Sequence, residues 1–449
     1  MGGAMHARRI FLAGLVAVGL AAPAPVPPAR ATGGVLYVTT ALDEYDLVAN
    51  ATCSLREAIT AVNSGQAFGG CPAGAAGDTI LLQPGVTYTL TRTGNNEDNN
   101  VTGDLDIRQS LTLTTTGGAA ATLAGGAGWN DRLLDVQGTS EINLAVNVSW
   151  LVIRGGDVAG LGGGVNNNYA ELDLTKVELR DNFSSLSGGG LANNTDGTVT
   201  LVDSLVAGNT AAGTGPAGGG VFNYGELSIA NSSVVSNTAS NPTGQGGGLV
   251  AGFKTTLRNV TLSHNIARAD GGGLYLDPAG FQLILNNVTI TANTADSDGD
   301  GAGDGGGVYL VSSGLILSNS LIAGNFDASA GVSYPDCARG GSQTATSQDH
   351  NLIGDLVHSN CVITPGPDDQ FGTASVIDPQ LAPLSDNGGA TLTHALLDAS
   401  PARDAGNPEA TGYVCETEDQ RGLLRPSPCD VGAYEVGALR LMYLPVIQR

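Results

Sequence analysis

The chain has 449 residues, of which 67 are glycine, and its 42 acidic against 19 basic residues give a formal net charge of −23. An acidic, lysine-poor surface argues against nucleic acids and anionic membranes as partners, because both carry negative charge. The same surface suits divalent cations, so calcium is the one cofactor that the composition favours.

Residues 1–31 are predicted to be an export signal. Arg8 and Arg9 supply the positive end, residues 10–22 the apolar stretch, and Ala29 to Ala31 a small-x-small cleavage site. The arginine pair leaves Sec and twin-arginine export as open alternatives. The apolar stretch is shorter than the ~20 residues that a membrane-spanning helix needs. We therefore expect an exported protein, extracellular or at the cell surface, with no transmembrane helix in the mature chain.

Residues 35–77 are predicted to form an N-terminal cap. Ser54 and Glu57 have the Ser-x-x-Glu spacing of a helix capping box. A short amphipathic helix that starts there would cover the open first coil of a solenoid. We expect Arg56 and Glu57 to act in capping and in a salt bridge rather than in catalysis. The apolar face of this helix would be Leu55, Ala58, Ile59 and Val62.

Six copies of one pattern fill residues 162–325. Each copy opens with three glycines and an aliphatic residue and closes on an asparagine, and successive closing asparagines are 27 to 32 residues apart. A period in this range is typical of a solenoid. The closing asparagines are Asn182, Asn209, Asn237, Asn265, Asn293 and Asn325.

Apolar residues within each copy alternate with polar or small ones, which is the periodicity of a β-strand rather than of a helix. The segments are short, rich in Val, Ile and Leu, and bounded by Gly and Asn. The sequence therefore predicts an all-β fold, a right-handed parallel β-helix over residues 78–375 whose clearest repeats are 162–325.

Six positions before the closing asparagine, four consecutive copies carry a further asparagine. Asparagine tolerates the left-handed conformation of a turn, and its amide can donate to one neighbouring coil while it accepts from the other. We therefore predict a stacked asparagine ladder made of Asn231, Asn259, Asn287 and Asn319.

The longest gap between two copies is the best candidate for a metal site. Aspartates alternate with other residues from position 296 and precede a glycine, like the first half of a calcium loop. The twelfth position is Gly307 and not glutamate, so a flexible acidic loop stays open as the alternative. The predicted calcium ligands are Asp296, Asp298, Asp300 and Asp304.

A second acidic loop, residues 95–106, precedes the clear repeats. It could hold calcium, but we expect a solvated acidic loop there. Its acidic residues are Glu97, Asp98, Asp104 and Asp106.

The six cysteines fall into three pairs that are close in sequence. Six cysteines allow 15 connectivities, and local pairing is the simplest of them. Disulfides rather than free thiols are expected in an exported chain. The predicted local pairs are Cys53 with Cys71, Cys337 with Cys361, and Cys415 with Cys429.

Residues 376–435 are predicted to be an irregular C-terminal cap that closes the last coil, followed by a tail, 436–449. This segment resembles the choice-of-anchor Q domain of bacterial surface proteins, for example in Asp386-Asn387-Gly388-Gly389 and Asp419-Gln420-Arg421-Gly422. The run Cys53 to Ile59 (CSLREAI) resembles the signature of the CSLREAI domain of exported bacterial β-helix proteins. Both resemblances imply an architecture more than an activity.

Two functional hypotheses follow. The first is an exported or cell-surface β-helix with a structural, adhesive or glycan-binding role, whose partners are extracellular glycans or cell-envelope components and in which no residue is assigned to catalysis. The second is a calcium-dependent polysaccharide lyase or glycoside hydrolase of the pectate-lyase-like type. A binding protein should show long polar or aromatic stripes on its sheets, and an enzyme should show clustered carboxylates beside a base.

Overall fold

A computed structural model describes residues 33–95, 97–277, 281–408 and 414–439. The predicted export signal, residues 1–31, and the tail beyond residue 439 lie outside the described residues. Within them, every ladder between named strands is parallel, and the strands stack coil upon coil into a β-solenoid. The predicted fold class is confirmed.

Each regular coil contributes one strand to a nine-stranded sheet. In the six clear repeats these strands follow the glycine triplets, and a Leu, Val or Cys in each strand of the sheet is buried in the common core. The strands are Leu105–Ile107, Leu134–Gln137, Val165–Asn168, Leu191–Asn193, Val221–Asn223, Leu249–Ala251, Leu274–Leu276, Val308–Leu310 and Cys337–Arg339.

The longest strands form an 18-stranded sheet, in which a left-handed residue often bends or divides the strand. They are Val35–Tyr37, Asp78–Leu82, Thr87–Leu90, Leu111–Thr115, Ala121–Gly125, Leu144–Arg154, Ala170–Arg180, Thr198–Val202, Leu205–Ala207, Glu226–Val235, Thr255–Ser263, Leu283–Thr291, Leu315–Ser318, Leu321–Ile322, Thr344–Ser347, Leu352–Ile353, Val362–Thr364 and Gln370–Phe371.

Two-residue strands form a seven-stranded sheet, and all of them except the first directly follow a closing asparagine. They are Asp157–Val158, Phe183–Ser184, Thr210–Ala211, Thr238–Ala239, Ile266–Ala267, Thr294–Ala295 and Phe326–Asp327. A two-stranded ladder joins Gly215–Pro216 to Gly244–Gln245.

A continuous ladder of amide side chains runs through the closing asparagines. The Nδ2 of Asn209 donates to the Oδ1 of Asn237 at 2.9 Å, and Asn237 donates in the same way to Asn265 at 3.0 Å. Asn182, Asn265 and Asn293 continue the series, and Asn325 ends it on Asp336. We call this buried series the inner ladder. It explains why every copy ends on the same residue, because each amide satisfies groups of both neighbouring coils.

The glycine triplets and the inner ladder depend on each other. The first glycine of each triplet is left-handed, with φ of 59° at Gly218 and 72° at Gly246. The third lies against a closing asparagine: a Cβ on Gly220 would be 2.8 Å from Cγ of Asn237. A side chain at this position would displace the ladder, which accounts for the recurrence of both features in one pattern.

The four asparagines of the predicted ladder form an outer column instead. The strand register places Asn231, Asn259, Asn287 and Asn319 on successive coils, each at a left-handed turn with φ between 48° and 52°. Asn259 donates to Asn231 at 3.2 Å, but Asn287 donates to the carbonyl oxygens of Asp430 and Gly432. The continuous amide ladder is therefore at the closing position, because that position faces the interior, where an unpaired amide is costly.

The N-terminal cap contains the one helix of the described residues, Leu55–Ser64. Ser54 caps it, and Glu57 completes the capping box by accepting from the Ser54 amide at 3.0 Å. Arg56 is fully buried and pairs with Asp43 at 2.6 Å. These contacts are the capping and salt-bridge roles expected of Arg56 and Glu57.

The cysteines pair locally, Cys53 with Cys71, Cys337 with Cys361, and Cys415 with Cys429. The last pair lies in the segment from residue 376 to 439, which we call the C-terminal unit. We expected this unit to close the end of the solenoid, but it packs along the outer flank of the coils.

The side chains on this flank of the coils explain why the C-terminal unit packs there. Leu321 and Leu352 of the solenoid are fully buried beneath Leu396, Ala402 and Val431 of the unit. Small hydroxyl residues line the same flank and bond to the unit: Ser233 donates to the carbonyl of Leu392 at 2.6 Å, and Thr261 to Oε1 of Gln420 at 2.6 Å. The unit therefore covers outward apolar and hydroxyl side chains of the coils.

Candidate functional site

The outer side of the nine-stranded sheet carries an acidic pocket at its N-terminal end. Asp106 and Asp135 occupy the same register on adjacent strands, and Asn166 follows on the next coil. Asp104 and Asp131 approach from the flanking loops. All four aspartates are buried, with at most 6 % of their surface exposed.

The N-terminal cap builds this pocket. The buried guanidinium of Arg56 donates to the carbonyl oxygens of Gly103 at 2.7 Å and Asp104 at 3.1 Å. Asn63 of the same helix donates to the carbonyl of Asp106 at 2.6 Å. The expectation of a solvated loop at residues 95–106 is therefore wrong for Asp104 and Asp106, because the cap holds their backbone under it.

One arginine accompanies the four carboxylates. The Nη1 of Arg132 lies 2.6 Å from Asp135, and its Nε lies 3.5 Å from Asp104. Burial and repulsion from neighbouring aspartates raise the pKa of Asp104 to about 9, and burial and Asp135 raise the pKa of Asp106 to about 7. Burial alone would lower the pKa of Arg132, but attraction to Asp135 and Asp104 outweighs it and raises that pKa. The pocket thus holds more negative charge than its arginine balances.

The geometry of the pocket fits a small divalent cation. One oxygen each of Asp104, Asp106 and Asp135 lie within 4.8 Å of one another. Calcium takes oxygen ligands at about 2.3–2.6 Å, so oxygens on opposite sides of the ion are about 5 Å apart. A cavity of about 120 Å³ opens beside these residues, lined also by Glu97 and Asp98. Oxygen ligands, a surplus of negative charge and space for an ion are therefore found together in this pocket.

The register position that Asp106 and Asp135 occupy on the nine-stranded sheet becomes aromatic towards the C-terminal end of that sheet. In register from Asn166 follow Ala192, Phe222, Val250, Tyr275 and Tyr309. Tyr275 and Tyr309 stack with ring centroids 5.7 Å apart, and Phe222 stacks on Tyr224 at 4.7 Å. From Asp135 to Tyr309 there are six steps between coils, roughly 29 Å at ~4.8 Å per step. We call this row, from the pocket to Tyr309, the column face; Phe222 and Tyr309 are half-buried, and Ala192, Val250 and Tyr275 are at most 6 % exposed.

Two further acidic residues lie beside the tyrosines. The Oδ1 of Asp270 accepts from the backbone of Asp304 at 3.0 Å, and its Oδ2 accepts from Gln245 at 2.9 Å. Burial and the negative charges of Asp304 and Asp327 raise the pKa of Asp270 to about 6. Asp304, a predicted calcium ligand, is therefore near the column face.

The other predicted calcium ligands form a group of their own. One oxygen each of Asp296, Asp298 and Asp300 lie within 4.8 Å of one another. The buried Asp296 carboxylate accepts backbone N–H bonds from Asp300 at 3.1 Å and Gly301 at 2.9 Å. Asp298 is paired with Arg268 at 2.6 Å. The loop thus uses part of its charge to fold on itself, whereas the acidic pocket keeps a surplus.

Sequence reasoning missed Asp131, Arg132 and Asp135. They lie in a less regular coil, where no repeat marks which side of a strand a residue occupies. One signal was available: the short strand Leu134-Asp135-Val136 matches Leu105-Asp106-Ile107, with an aspartate between two apolar residues in both. Parallel stacking of these two strands would have brought the aspartates together.

Comparison with known proteins assigns no family and no activity to the chain. No family model matches the chain, and no curated protein matches it. Among the described residues, no helix is long and apolar enough to cross a membrane. The chain is similar to the crystal structure of pectate lyase Pel9A, with 13% identity, a TM-score of 0.46, and coverage of 91% of this chain and 97% of that one. It is also similar to the complex of XylC with xylose, with 10% identity, a TM-score of 0.39, and coverage of 81% and 66%.

Proposed function

We propose that this protein is an exported β-helix that binds extracellular glycans along the column face, with calcium in the acidic pocket. The observation that carries the proposal is the alignment of the pocket with Phe222, Tyr275 and Tyr309 in one register of one sheet. An extended polymer parallel to the solenoid axis would contact the pocket and the half-buried rings of Phe222 and Tyr309. Aromatic rings pack well against the apolar faces of sugars, and a cation bridges carboxylates to an acidic or hydroxyl-rich ligand.

Calcium would be held by Asp104, Asp106 and Asp135. A bound cation supplies the positive charge that the four carboxylates lack, and it would release the protons that Asp104 and Asp106 retain at neutral pH. Arg132 would remain paired with Asp135 at the edge of the site. A second cation in the loop of Asp296, Asp298 and Asp300 is a weaker candidate, because Asp298 already has Arg268 as its partner.

Binding fits the pocket better than β-elimination does. Elimination of the pectate-lyase type needs, beside the carboxylates that hold calcium, an Arg or Lys that is deprotonated when it takes the proton. Arg132 has a raised pKa and stays charged. The two lysines of the chain lie elsewhere: Lys254 pairs with Glu226, and Lys176 lies over the ring of Trp150. The pocket therefore offers carboxylates without a suitable base.

A polysaccharide-binding assay with and without calcium tests this proposal. The purified chain would be run through gels that contain an acidic or a neutral polysaccharide, in calcium or in EDTA. We expect retardation in calcium that EDTA abolishes, and its loss in Asp106→Asn. Asp181→Asn, an exposed aspartate outside the pocket, is the matched control and should behave like the wild type. Equal mobility in every gel would refute the proposal.

Hydrolysis is the second candidate, and one observation favours it. The pKa of Asp104 near 9 keeps this carboxyl protonated at neutral pH, as a general acid requires. Oxygens of Asp104, Asp106 and Asp135 lie within 4.8 Å of one another. This spacing argues against an inverting hydrolase, whose carboxyl groups are about 6.5–9.5 Å apart, and it is nearer to the about 5–5.5 Å of a retaining one. Release of reducing ends from any of the polysaccharides, lost in Asp104→Asn, would favour hydrolysis over binding alone.

Export rests on the sequence of residues 1–31 and agrees with the three disulfides. The resemblances to the CSLREAI and choice-of-anchor Q domains support a bacterial surface location. Fractionation of a bacterial host that expresses the full chain, beside a version without residues 1–31, tests this part. Retention of both versions in the cytoplasm would contradict it.

A further inference from the structure

A cleft of about 530 Å³ lies between the 18-stranded sheet and the C-terminal unit, on a different side of the solenoid from the column face. This volume is within the range of about 300–1,000 Å³ that is usual for small-molecule sites. The solenoid wall includes Trp150, Lys176, Glu178 and Asp203, and the opposite wall includes Glu418 and Arg421.

The cleft exists because the C-terminal unit covers only part of the outer column. Trp150, Lys176 and Asp203 precede Asn231 in the same register and share its left-handed backbone, with φ of 56°, 55° and 51°. Farther along, the unit bonds to the column directly. The carbonyl of Glu418 accepts from Asn259 at 2.8 Å, and Asn287 accepts from the amide of Glu416 at 2.8 Å.

Trp150 and Lys176 are unusual residues for this backbone conformation. Left-handed φ favours glycine and asparagine, and a bulky residue there is strained. Four later coils place asparagine at the same position. The two exceptions are one of the two tryptophans and one of the two lysines in the chain, and they lie on adjacent coils beside a cleft. Strained residues cluster at functional sites, so their presence here indicates a use.

The charges of the cleft indicate the kind of ligand. The Nζ of Lys176 lies 4.6 Å from the centre of the Trp150 ring, and among the described residues no carboxylate lies within 4.0 Å of it. By contrast, Arg421 is engaged, paired with Asp419 at 2.6 Å and stacked on Tyr434 at 3.8 Å. In an acidic protein, Lys176 is thus a cation that lacks an anionic partner. Asp203 and Glu418 offer acceptors for hydroxyl groups.

We propose that this cleft binds a saccharide that carries a carboxylate, such as a short uronic acid oligomer. The carboxylate would pair with Lys176, a sugar ring would pack on the exposed part of the Trp150 indole, and hydroxyls would donate to Asp203 and Glu418. This site needs no cation, because Lys176 supplies the positive charge. It is independent of the function proposed for the column face.

Tryptophan fluorescence tests the site. The chain has two tryptophans, and Trp129 is buried with 5 % exposure, so a ligand in the cleft should change the signal of Trp150. The probes are a galacturonic acid trimer and the same trimer with its carboxyl groups reduced to alcohols, both in EDTA. We expect the acidic trimer to bind tenfold or more tightly than the reduced one, roughly the loss of one charge-assisted hydrogen bond.

Two variants and one control sharpen this experiment, with calorimetry as the readout where Trp150 is absent. Trp150→Asn should abolish binding, and Lys176→Asn should remove the preference for the acidic trimer, while both keep the wild-type melting temperature or raise it. Tyr169→Asn removes another aromatic residue with left-handed φ, 52°, outside the cleft, and should bind like the wild type. The proposal is overturned if neither trimer binds in EDTA, or if both cleft variants bind the acidic trimer as the wild type does.

Discussion

The inner ladder and the outer column both pass through the coils in register, yet they differ in how constant their residues are. The inner ladder is asparagine in six consecutive copies, and its members are at most 5 % exposed. The outer column changes from Trp150 through Lys176 and Asp203 to asparagine. An interior amide must satisfy both neighbours, so a single change leaves unpaired groups in two coils. Besides its left-handed backbone, the outer position bonds to the C-terminal unit only where the unit covers it, as at Asn259 and Asn287, so its side chains vary in the coils before that.

This difference indicates where binding is located on the solenoid. Residues that repeat in every coil hold the fold, and departures from the repeat create sites. The acidic pocket arises in coils that precede the clear repeats, and the cleft arises where the outer column departs from asparagine. Both sites also need a part outside the regular coils: the N-terminal cap for the pocket and the C-terminal unit for the cleft.

Removal of one inner amide should have the largest effect on stability. Asn237 donates to Val206 and Asn265 and accepts from the side chain and backbone of Asn209, all between 2.9 and 3.0 Å. In Asn237→Ala these buried partners lose their bonds, and we expect a loss of roughly 3–5 kcal/mol in the free energy of unfolding. Chemical denaturation measures it.

Asn231→Ala is the matched variant in the outer column. Its side chain is half-buried and accepts one bond, from Asn259 at 3.2 Å, so we expect a loss of about 1 kcal/mol, mainly from the left-handed backbone. Equal losses in the two variants would remove the distinction between the inner ladder and the outer column.

Calcium should stabilise the protein through the acidic pocket. At a hundredfold excess over its dissociation constant, a ligand of the folded state adds about 2.7 kcal/mol. Without calcium, folded Asp104 and Asp106 keep their protons up to a pH of about 9 and 7, whereas unfolded aspartates lose them near 4. The folded state binds more protons in this window, so stability falls as pH rises from 4 to 9, and calcium should offset the loss.

Thermal melts at pH 5, 7 and 9, with calcium or EDTA, measure this effect. Asp106→Asn should reduce the pH dependence, leaving the part that Asp104 contributes, and abolish the response to calcium. A calcium response that survives in Asp106→Asn but disappears in Asp298→Asn would mean that the calcium site is the loop of Asp296, Asp298 and Asp300 and not the acidic pocket.

Low pH should loosen the C-terminal unit. His394 of this unit is buried, with Nε2 2.8 Å from the Ser263 hydroxyl and Nδ1 2.8 Å from the carbonyl of Ala382. On the solenoid side, His264 contacts the same hydroxyl at 2.7 Å. Burial lowers the pKa of His394, and the neighbouring His264 lowers it further. Below the ordinary pKa of about 6.5 the undocked histidine takes up a proton that the docked one resists, so docking weakens as pH falls.

Hydrogen exchange of residues 376–435 at pH 7.5 and pH 5 measures this loosening, relative to exchange in the inner ladder. In His394→Gln the additional exchange at pH 5 should disappear. Faster exchange throughout the solenoid at pH 5, in step with the C-terminal unit, would contradict a local effect of His394.

The smallest expected effect is a gain in stability. Trp150→Asn places the preferred residue at a left-handed turn, and we expect about 0.5–1 kcal/mol of stabilisation. Asn259→Trp is the reverse substitution in the same outer column. It should lower the free energy of unfolding, because Asn259 is 4 % exposed beneath the C-terminal unit. A loss of stability in Trp150→Asn would mean that the indole is retained for packing.

The regular part of the fold was predictable because its repeats show directly which residues of successive coils lie in register. Glycine triplets, alternating apolar residues and closing asparagines predict a solenoid, and the structure confirms it. The sequence could not distinguish which asparagine column faces inwards, since Asn231 and Asn237 recur with the same period. Which column faces inwards depends on how the chain bends at each turn, and the spacing of residues in the sequence does not show this.

The sites were predictable only in part. Asp104 and Asp106 were identified as acidic residues of one loop, but their burial depends on Arg56, some 48 residues earlier in the chain. Likewise, the cleft depends on Ala390, Glu418 and Arg421 lying opposite Trp150 and Lys176. Such contacts join segments that share no repeat, so neither periodicity nor a local motif predicts them.

A crystal structure grown in calcium tests the central proposal most directly. Anomalous scattering should give one calcium peak in the acidic pocket, with oxygens of Asp104, Asp106 and Asp135 about 2.3–2.6 Å away. Absence of calcium there at millimolar concentration, with Asp104 still beside Arg132, would contradict a cation-assisted binding face.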